Sequence, residues 1–264
     1  MRYTQKDICQ SFDIKRDTLR HYERLGIIEP EVGENGYRYY DDWQINLLWE
    51  CKRYQAMGFS LGQIRDILHR DSLADVSDKV DGRLREMERE LAYQAMALDS
   101  MRLYQRLLVQ IDARLGRFEE QELPEVRFVP RREVHDLLFD ERLHPAGRFV
   151  NEHQGVCLPP IAYFPSASGE KYYWGFAMFA ERYRELGGPE KGCFTLSAGP
   201  ALSTCVDAGE RWGFGQHLFE GLLEEAARRG RVAEGPLYGY LLTRTYDERG
   251  GYHRFVQAYL PLAE

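Results

Sequence analysis

Two groups of side chains able to hold an anionic polymer stand a dozen residues apart. The first is Thr18-Leu19-Arg20-His21-Tyr22-Glu23-Arg24-Leu25-Gly26-Ile27-Ile28, with Lys15 and Arg16 just before it. Arg16, Arg20 and Arg24 recur every four residues and so share one helical face. The second is Glu34-Asn35-Gly36-Tyr37-Arg38-Tyr39-Tyr40, an aromatic hairpin carrying one arginine. Guanidinium groups bind phosphate or the O6 and N7 atoms of guanine through paired donors, and tyrosine hydroxyls donate to phosphate oxygens. Together the two groups read as a recognition helix and a wing that grips DNA.

The elements that must position them follow from local signals. Thr4 is a good N-cap for a helix over 3–12 that places Ile8, Cys9 and Phe12 on one side. A tight connection at Phe12-Asp13-Ile14 leads to a second helix from about Arg16 to Leu25, which Gly26 stops. Leu19 and Tyr22 can pack inward. Asn35-Gly36 predicts a type I′ hairpin turn. Alternation then sets Tyr37 and Tyr39 on one face and Arg38 and Tyr40 on the other. One face must pack on the helices, so at most half of these residues can reach a phosphate. Asp41-Asp42 caps a helix through Ile45, Leu48 and Cys51, and Ser60 caps another through Ile64, Ile67 and Leu68.

From about Val76 to Phe118 no proline occurs. Val80, Leu84, Met87, Leu91, Leu98, Met101, Leu108 and Leu115 keep spacings near 3 and 4. This predicts a heptad-like stripe about 60 Å long that pairs with a second copy of the chain. After Leu123-Pro124 the texture turns β-branched and aromatic. Strands are expected at Val126–Val129, Glu133–Phe139, Val156–Phe164, Leu202–Val206, Leu237–Tyr246 and Tyr252–Leu260, and helices at Trp174–Leu186 and Phe214–Arg229. The last sixty or so residues read as a strand-helix-strand-strand unit, and the segment before them as a looser copy. The fold class is α+β, with domains at 1–73, 74–120 and 121–264.

Composition narrows the field. At 264 residues and 44% hydrophobic the chain can bury more than one core. The five cysteines are scattered without a CxxC, which suits a reducing compartment and argues against a disulfide framework or a zinc module. The net charge of −7 is uneven: residues 1–70 hold 11 Lys+Arg and 11 Asp+Glu, so the whole deficit lies beyond them. A polar start and no apolar run near about 20 residues point to a cytoplasmic chain without signal peptide or membrane span.

The first seventy residues resemble the MerR family of transcriptional regulators. The carriers are Tyr3-Thr4, Thr18 to Glu23, Leu25-Gly26-Ile27-Ile28-Glu29-Pro30, Asn35 to Tyr40, and Met57-Gly58-Phe59-Ser60-Leu61-Gly62-Gln63-Ile64. The resemblance implies a homodimer on a palindromic element of double-stranded promoter DNA with an overlong spacer. It further implies activation of RNA polymerase by bending and untwisting that DNA. Residues 125–264 look like the GyrI-like effector domain of multidrug-sensing members, ending in Phe255-Val256-Gln257-Ala258-Tyr259-Leu260-Pro261-Leu262. DNA-contact candidates are Thr4, Lys15, Arg16, Thr18, Arg20, Tyr22, Tyr37, Arg38, Tyr39 and Tyr40. Lys15 stands where the family usually has Ser or Thr. A cation there opposes the helix dipole by up to about 1 kcal/mol, which makes sense if Lys15 and Arg16 meet DNA. The resemblance favours Arg38 and Tyr39 as backbone contacts, while Arg20 could instead organise the domain.

In the last strand Phe255, Gln257 and Tyr259 oppose Val256, Ala258 and Leu260; in the strand before it Tyr238, Tyr240 and Leu242 oppose Leu237, Gly239 and Leu241. Small aliphatics suit the helix-covered side, leaving an aromatic side for a cavity suited to flat or cationic hydrophobic ligands. Candidate ligand contacts are Tyr163, Tyr173, Trp174, Trp212, Phe214, Tyr238, Tyr240, Phe255, Gln257 and Tyr259; an ordinary tyrosine-filled core is the competing reading. Relatives that sense lipophilic cations often carry a buried acid near the place of Gln257, and Glu152 and Asp207 are weak substitutes. A constitutive architectural DNA binder stays open as an alternative, and a hydrolase less so, since the seven histidines are dispersed and no G-x-S-x-G occurs. No catalytic residue or cofactor is expected, and no metal either, because the paired cysteines of metal-sensing relatives are missing.

Overall fold

The computed structural model describes residues 2–133, 136–137, 144–165, 171–209 and 216–263, with backbone only at 136–137, 144 and 216–217. It divides into two compact units, Met1–Tyr93 and Gln94–Glu264.

The first unit contains β1 (Tyr3–Thr4), α1 (Gln5–Phe12), α2 (Arg16–Arg24), β2 (Glu31–Val32), β3 (Arg38–Tyr40), α3 (Asp42–Ala56), α4 (Leu61–His69) and the first turns of α5 (Leu73–Val109). Local chemistry sets nearly every boundary. Thr4 closes a capping box with Asp7, Asp41 accepts from the Gln44 amide, and Ser60 closes a second box with Gln63. Asp13 takes a left-handed φ of 49° to turn the chain into α2, and Gly26 does the same at 69° to leave it. The strands form a small antiparallel sheet in the order β1-β3-β2. Ile8, Leu19, Ile27, Leu48 and Ile64 fill the core beneath it. Three long-range bonds hold the layers: Lys52 Nζ to Phe12 O (2.7 Å), Glu29 N to Gln44 Oε1 (2.8 Å), and His69 Nε2 to Ile27 O (3.0 Å). The hairpin turn differs from expectation. Among the described non-glycine residues only Asp13 has positive φ, so Asn35 cannot sit in a type I′ turn. The turn instead closes by Gly36 N to Gly33 O (2.8 Å), with Gly36 at φ 75°.

The second unit holds the end of α5, then α6 (Ile111–Arg114), β4 (Glu119–Leu123), β5 (Val126–Glu133), β6 (Asp136–Leu137), α7 (His144–Glu152), β7 (Ile161–Phe164), β8 (Tyr173–Phe179), α8 (Ala180–Glu185), β9 (Phe194–Leu196), β10 (Gly199–Asp207), α9 (Glu220–Arg228), β11 (Leu237–Tyr246) and β12 (Tyr252–Pro261). Its sheet runs β4-β10-β12-β11-β7-β8-β5-β6, with β9 added to β5. The order β10-β12-β11 mirrors β5-β8-β7 about the β11–β7 pair, so the expected duplication is present.

Four local readings change, the first being the strand expected at Val156–Phe164: it covers only Ile161–Phe164, after a short 3-10 turn at Gln154–Val156 and Pro159-Pro160, which have no N–H for a ladder. The long helix ends at Val109 rather than near 120, because Glu119–Leu123 pairs with β10 in the register Glu119↔Ser203. Trp174–Phe179 is a strand rather than the start of a helix: hydrogen bonds to both β5 and β7 outweigh the helical spacing of Phe176, Phe179 and Tyr183. The segments Val126–Val129 and Glu133 are one strand, whereas 138–139 lie outside the described residues.

The sheet's two faces are sorted by strand alternation. Ala162, Phe164, Leu202, Leu237, Leu241, Val256, Ala258 and Leu260 meet Leu218, Phe219, Leu222 and Ala226 from the α9 region. Phe128, Tyr238, Tyr240, Leu242 and Tyr259 occupy the opposite face, where Ile111 and the α5 residues Leu103, Leu107 and Leu108 pack on them. At the centre Gly175 pairs with Ile161 and Pro130, and a Cβ there would lie 2.1 Å from the Val129 carbonyl oxygen. Gly175→Ala must therefore displace backbone, and denaturant unfolding should show a loss of about 3 kcal/mol or more; a loss under about 0.5 kcal/mol would contradict this packing.

Candidate nucleic-acid interface and ligand cavity

Helix α2 begins without a side-chain cap, since Lys15 occupies the N-cap position and bonds nothing there. Lys15, Arg16, Arg20 and Arg24 are all exposed, and none forms an ion pair with a described residue. Thr18 is half-buried beside them. The face opposite carries Leu19 and Tyr22 into the core.

The neighbouring hairpin is fastened to this helix through Glu23. Its Oε1 accepts the Tyr40 hydroxyl at 2.5 Å, and its Oε2 pairs with Arg38 Nε at 3.1 Å. Burial, then the Glu23 carboxylate, push the Tyr40 phenol well above its ordinary pKa. Tyr37 stands out at 69% exposure, while Tyr39 is half-buried and accepts from Asn35 Nδ2 at 3.0 Å.

These positions correct part of the candidate set. Tyr40 is fully buried and Tyr22 nearly so, its hydroxyl donating to Gln55 at 2.9 Å; both are core residues with no surface to offer DNA. Thr4 remains exposed, but its hydroxyl is held by Asp7 at 2.7 Å. The structure leaves Lys15, Arg16, Thr18, Arg20, Tyr37, Arg38 and Tyr39 on one helix and one wing. Glu23 was legible as a residue of the helix but not as its link to the wing, because the contact depends on the fold.

In the second unit a cavity of about 420 Å³ opens on the aromatic face. Its walls come from Leu103, Arg106 and Leu107 of α5, Gln110 just after it, Arg114 of α6, Gln121, Glu122, Leu123, Pro124 and Val126, Leu158, Phe179, and Tyr238, Tyr240 and Tyr259. The three tyrosines pack ring to ring, Tyr238 to Tyr259 at 5.4 Å and Tyr240 to Tyr259 at 5.7 Å. Burial raises all three phenols, with neighbouring phenols adding for Tyr238 and Tyr240 and Arg114 partly opposing at Tyr259. They stay neutral at ordinary pH.

Of the remaining ligand candidates, Gln257 is buried on the same face by alternation, yet it does not line the cavity. Tyr163 and Tyr173 form a separate aromatic group with Phe128 and Phe194, and Phe255 stacks on His253. Trp174 packs against the core on the α9 side, so it does not reach the cavity: alternation in β8 turns it to the opposite face from Ala177. Trp212 and Phe214 lie outside the described residues. The helix residues Leu103, Arg106, Leu107, Gln110 and Arg114 carried no sequence signal for a pocket.

The two suggested acids sit elsewhere. Glu152 is exposed on α7. Burial works to raise the Asp207 carboxyl, but hydrogen bonds from His253, Gly209 N–H and Arg254 N–H outweigh it and lower its pKa. His253 lies between Asp207 Oδ2 (2.6 Å) and Asp247 Oδ2 (3.5 Å), and bonding to Asp207, then Asp247, raises its pKa from 6.5. A raised histidine stabilises the fold fully below 6.5 and loses that contribution as pH climbs through the raised value, whereas the lowered Asp207 loses its share only in acid. Thermal unfolding of His253→Gln should accordingly lack the decline with rising pH above about 6.5 that the parent shows; parallel pH curves for the two proteins would refute this.

Comparison with known proteins bears on the helix-turn-helix region. Residues 3–71 match the family described as MerR HTH family regulatory protein. The mercuric resistance operon regulatory protein of Bacillus cereus is 35% identical over 88 residues, covering 33% of this chain and 62% of that protein. The multidrug-efflux transporter 2 regulator of Bacillus subtilis is 28% identical over 96 residues, 33% of this chain and 34% of its own. The chain thus spans less than two thirds of either relative. Among solved structures, the EcmrR–DNA complex in EcmrR-RPo aligns over 99% of this chain and 100% of its own at 12% identity, with a TM-score of 0.38, too low to carry an argument.

Proposed function

Because residues 3–71 form a MerR-type helix-turn-helix region, we propose that the chain is a dimeric, ligand-responsive transcriptional regulator that binds a palindromic promoter element. The observation that carries this is the exposed row Arg16, Arg20 and Arg24, bound to no acid among the described residues, beside a wing that a single carboxylate fastens in place. Unpaired cations on one face are free to displace counterions from phosphate. In this reading Lys15 and Arg16, at the tip of α2, read base edges, and Arg20, Thr18 and Tyr37 contact the backbone. Arg38 acts through Glu23 by setting the angle of the wing.

Self-association is supported by α5. Within the first unit Leu73, Val80, Leu84, Met87 and Leu91 follow a heptad spacing and remain 42–87% exposed. A second copy of the helix would cover them. Regulation is supported by the GyrI-like reading of the second unit and by its tyrosine-walled cavity, to which α5 contributes Leu103, Arg106 and Leu107. A hydrophobic, aromatic compound in the cavity would contact the helix that carries the dimer stripe, and the bound state would activate transcription by distorting the promoter. The name of the Bacillus subtilis multidrug relative supports such an effector.

Selection of binding sites from a random DNA pool separates the roles. Arg16→Ala should flatten the preference at one or two positions, by about 1–3 kcal/mol each, whereas Arg38→Ala should weaken every sequence alike. Indistinguishable profiles from the two variants would mean that base reading and wing positioning are not divided this way. Sedimentation of the Leu84→Glu, Leu91→Glu double variant should show a monomer that no longer protects a full palindrome, and an intact dimer would remove α5 from the interface.

A further inference from the structure

We propose that the cavity takes an aromatic anion, with its rings against Tyr238, Tyr240 and Tyr259 and its acidic head toward Arg106 and Arg114. The inference rests on reading this cavity as the effector site and names the chemistry it selects. The hydroxyls of the three tyrosines bond no described residue, and burial keeps them protonated, so they face the cavity as donors. Arg106 also lines it and makes no ion pair with a described residue. Arg114 lies close enough to Tyr259 to oppose the rise in its pKa, and its one acidic partner among the described residues, Glu119 at 3.5 Å, is outside the lining. The single carboxylate among the described lining residues is Glu122, which is exposed.

The wall therefore offers neutral and cationic donors around an aromatic floor, with little to neutralise a positive charge. A lipophilic cation would gain attraction from the ring faces but would meet two guanidiniums. A carboxylate or sulfonate gains charge-assisted hydrogen bonds from those same groups. A volume of about 420 Å³ suits two linked or fused rings with a small head group.

Three near-isosteric probes test this on the full-length protein by titration calorimetry: 4-biphenylacetate, its primary amide, and 4-phenylbenzylammonium. The carboxylate should bind about tenfold or more tighter than the amide, roughly 1.4 kcal/mol, and tighter still than the ammonium. Arg106→Gln and Arg114→Gln should each erode that preference by weakening the carboxylate more than the amide, and unchanged thermal unfolding of each variant shows that it is folded. Equal or tighter binding of the ammonium, or a preference indifferent to both arginines, overturns the anion assignment. If the amide still binds in that case and Tyr240→Ala abolishes it, the effector cavity stands without the anion. Failure of all three probes to bind overturns the cavity reading along with the anion.

Discussion

Glu23 commits both carboxylate oxygens to the fold, one to the Tyr40 hydroxyl and one to the Arg38 guanidinium. A buried or half-buried acid of this kind is costly unless its acceptor sites are filled, so the two donors are drawn to it wherever the chain allows. The consequence reaches past the contact. With Arg38 and Tyr40 held, the hairpin is fastened to α2, while Arg16, Arg20 and Arg24 on the far face of the helix pair with no acid among the described residues.

The second unit runs on the same distinction between committed and uncommitted donors. Alternation along β11 and β12 sends small aliphatics to the α9 side and phenols to the other. Gly239 and Ala258 let the aliphatic side pack closely; a Cβ on Gly239 would come within 2.7 Å of Val256. On the phenol side Tyr104 finds an acceptor in the Leu242 carbonyl at 2.7 Å, which ties α5 to the sheet, and Arg182 of α8 donates to Ser100 of α5 at 2.5 Å. Tyr238, Tyr240 and Tyr259 find none among the described residues. Three neutral donors gathered in one cavity form a site whose hydrogen bonds a ligand can complete.

Much of this was legible without coordinates. Caps are short-range chemistry, so Thr4, Asp41 and Ser60 marked helix starts correctly, and Gly26 marked an end. Periodicity placed β11 and β12 and sorted their faces. Errors arose where two periods compete or where a partner is distant. Phe176, Phe179 and Tyr183 fit a helical stripe as well as a strand followed by a short helix, and only pairing with β5 and β7 decides between them. Glu119–Leu123 is polar and looks like a helix tail until β10 lies beside it. Alternation in the hairpin correctly separated Tyr39 from Tyr40 but could not say which of the two turned inward.

By itself, the sequence determined the kinds of element, the cationic row on α2, the heptad stripe and the two-faced strands, because each is a repeat with a fixed geometric period. Tertiary structure alone decided which polar groups are satisfied. It gave Arg38 and Tyr40 to Glu23, removed Tyr22 and Tyr40 from the surface, turned Trp174 away from the cavity, and brought Arg106 and Arg114 to its wall. Those outcomes depend on contacts between residues far apart in the chain, and no local period encodes which donor will meet which acceptor.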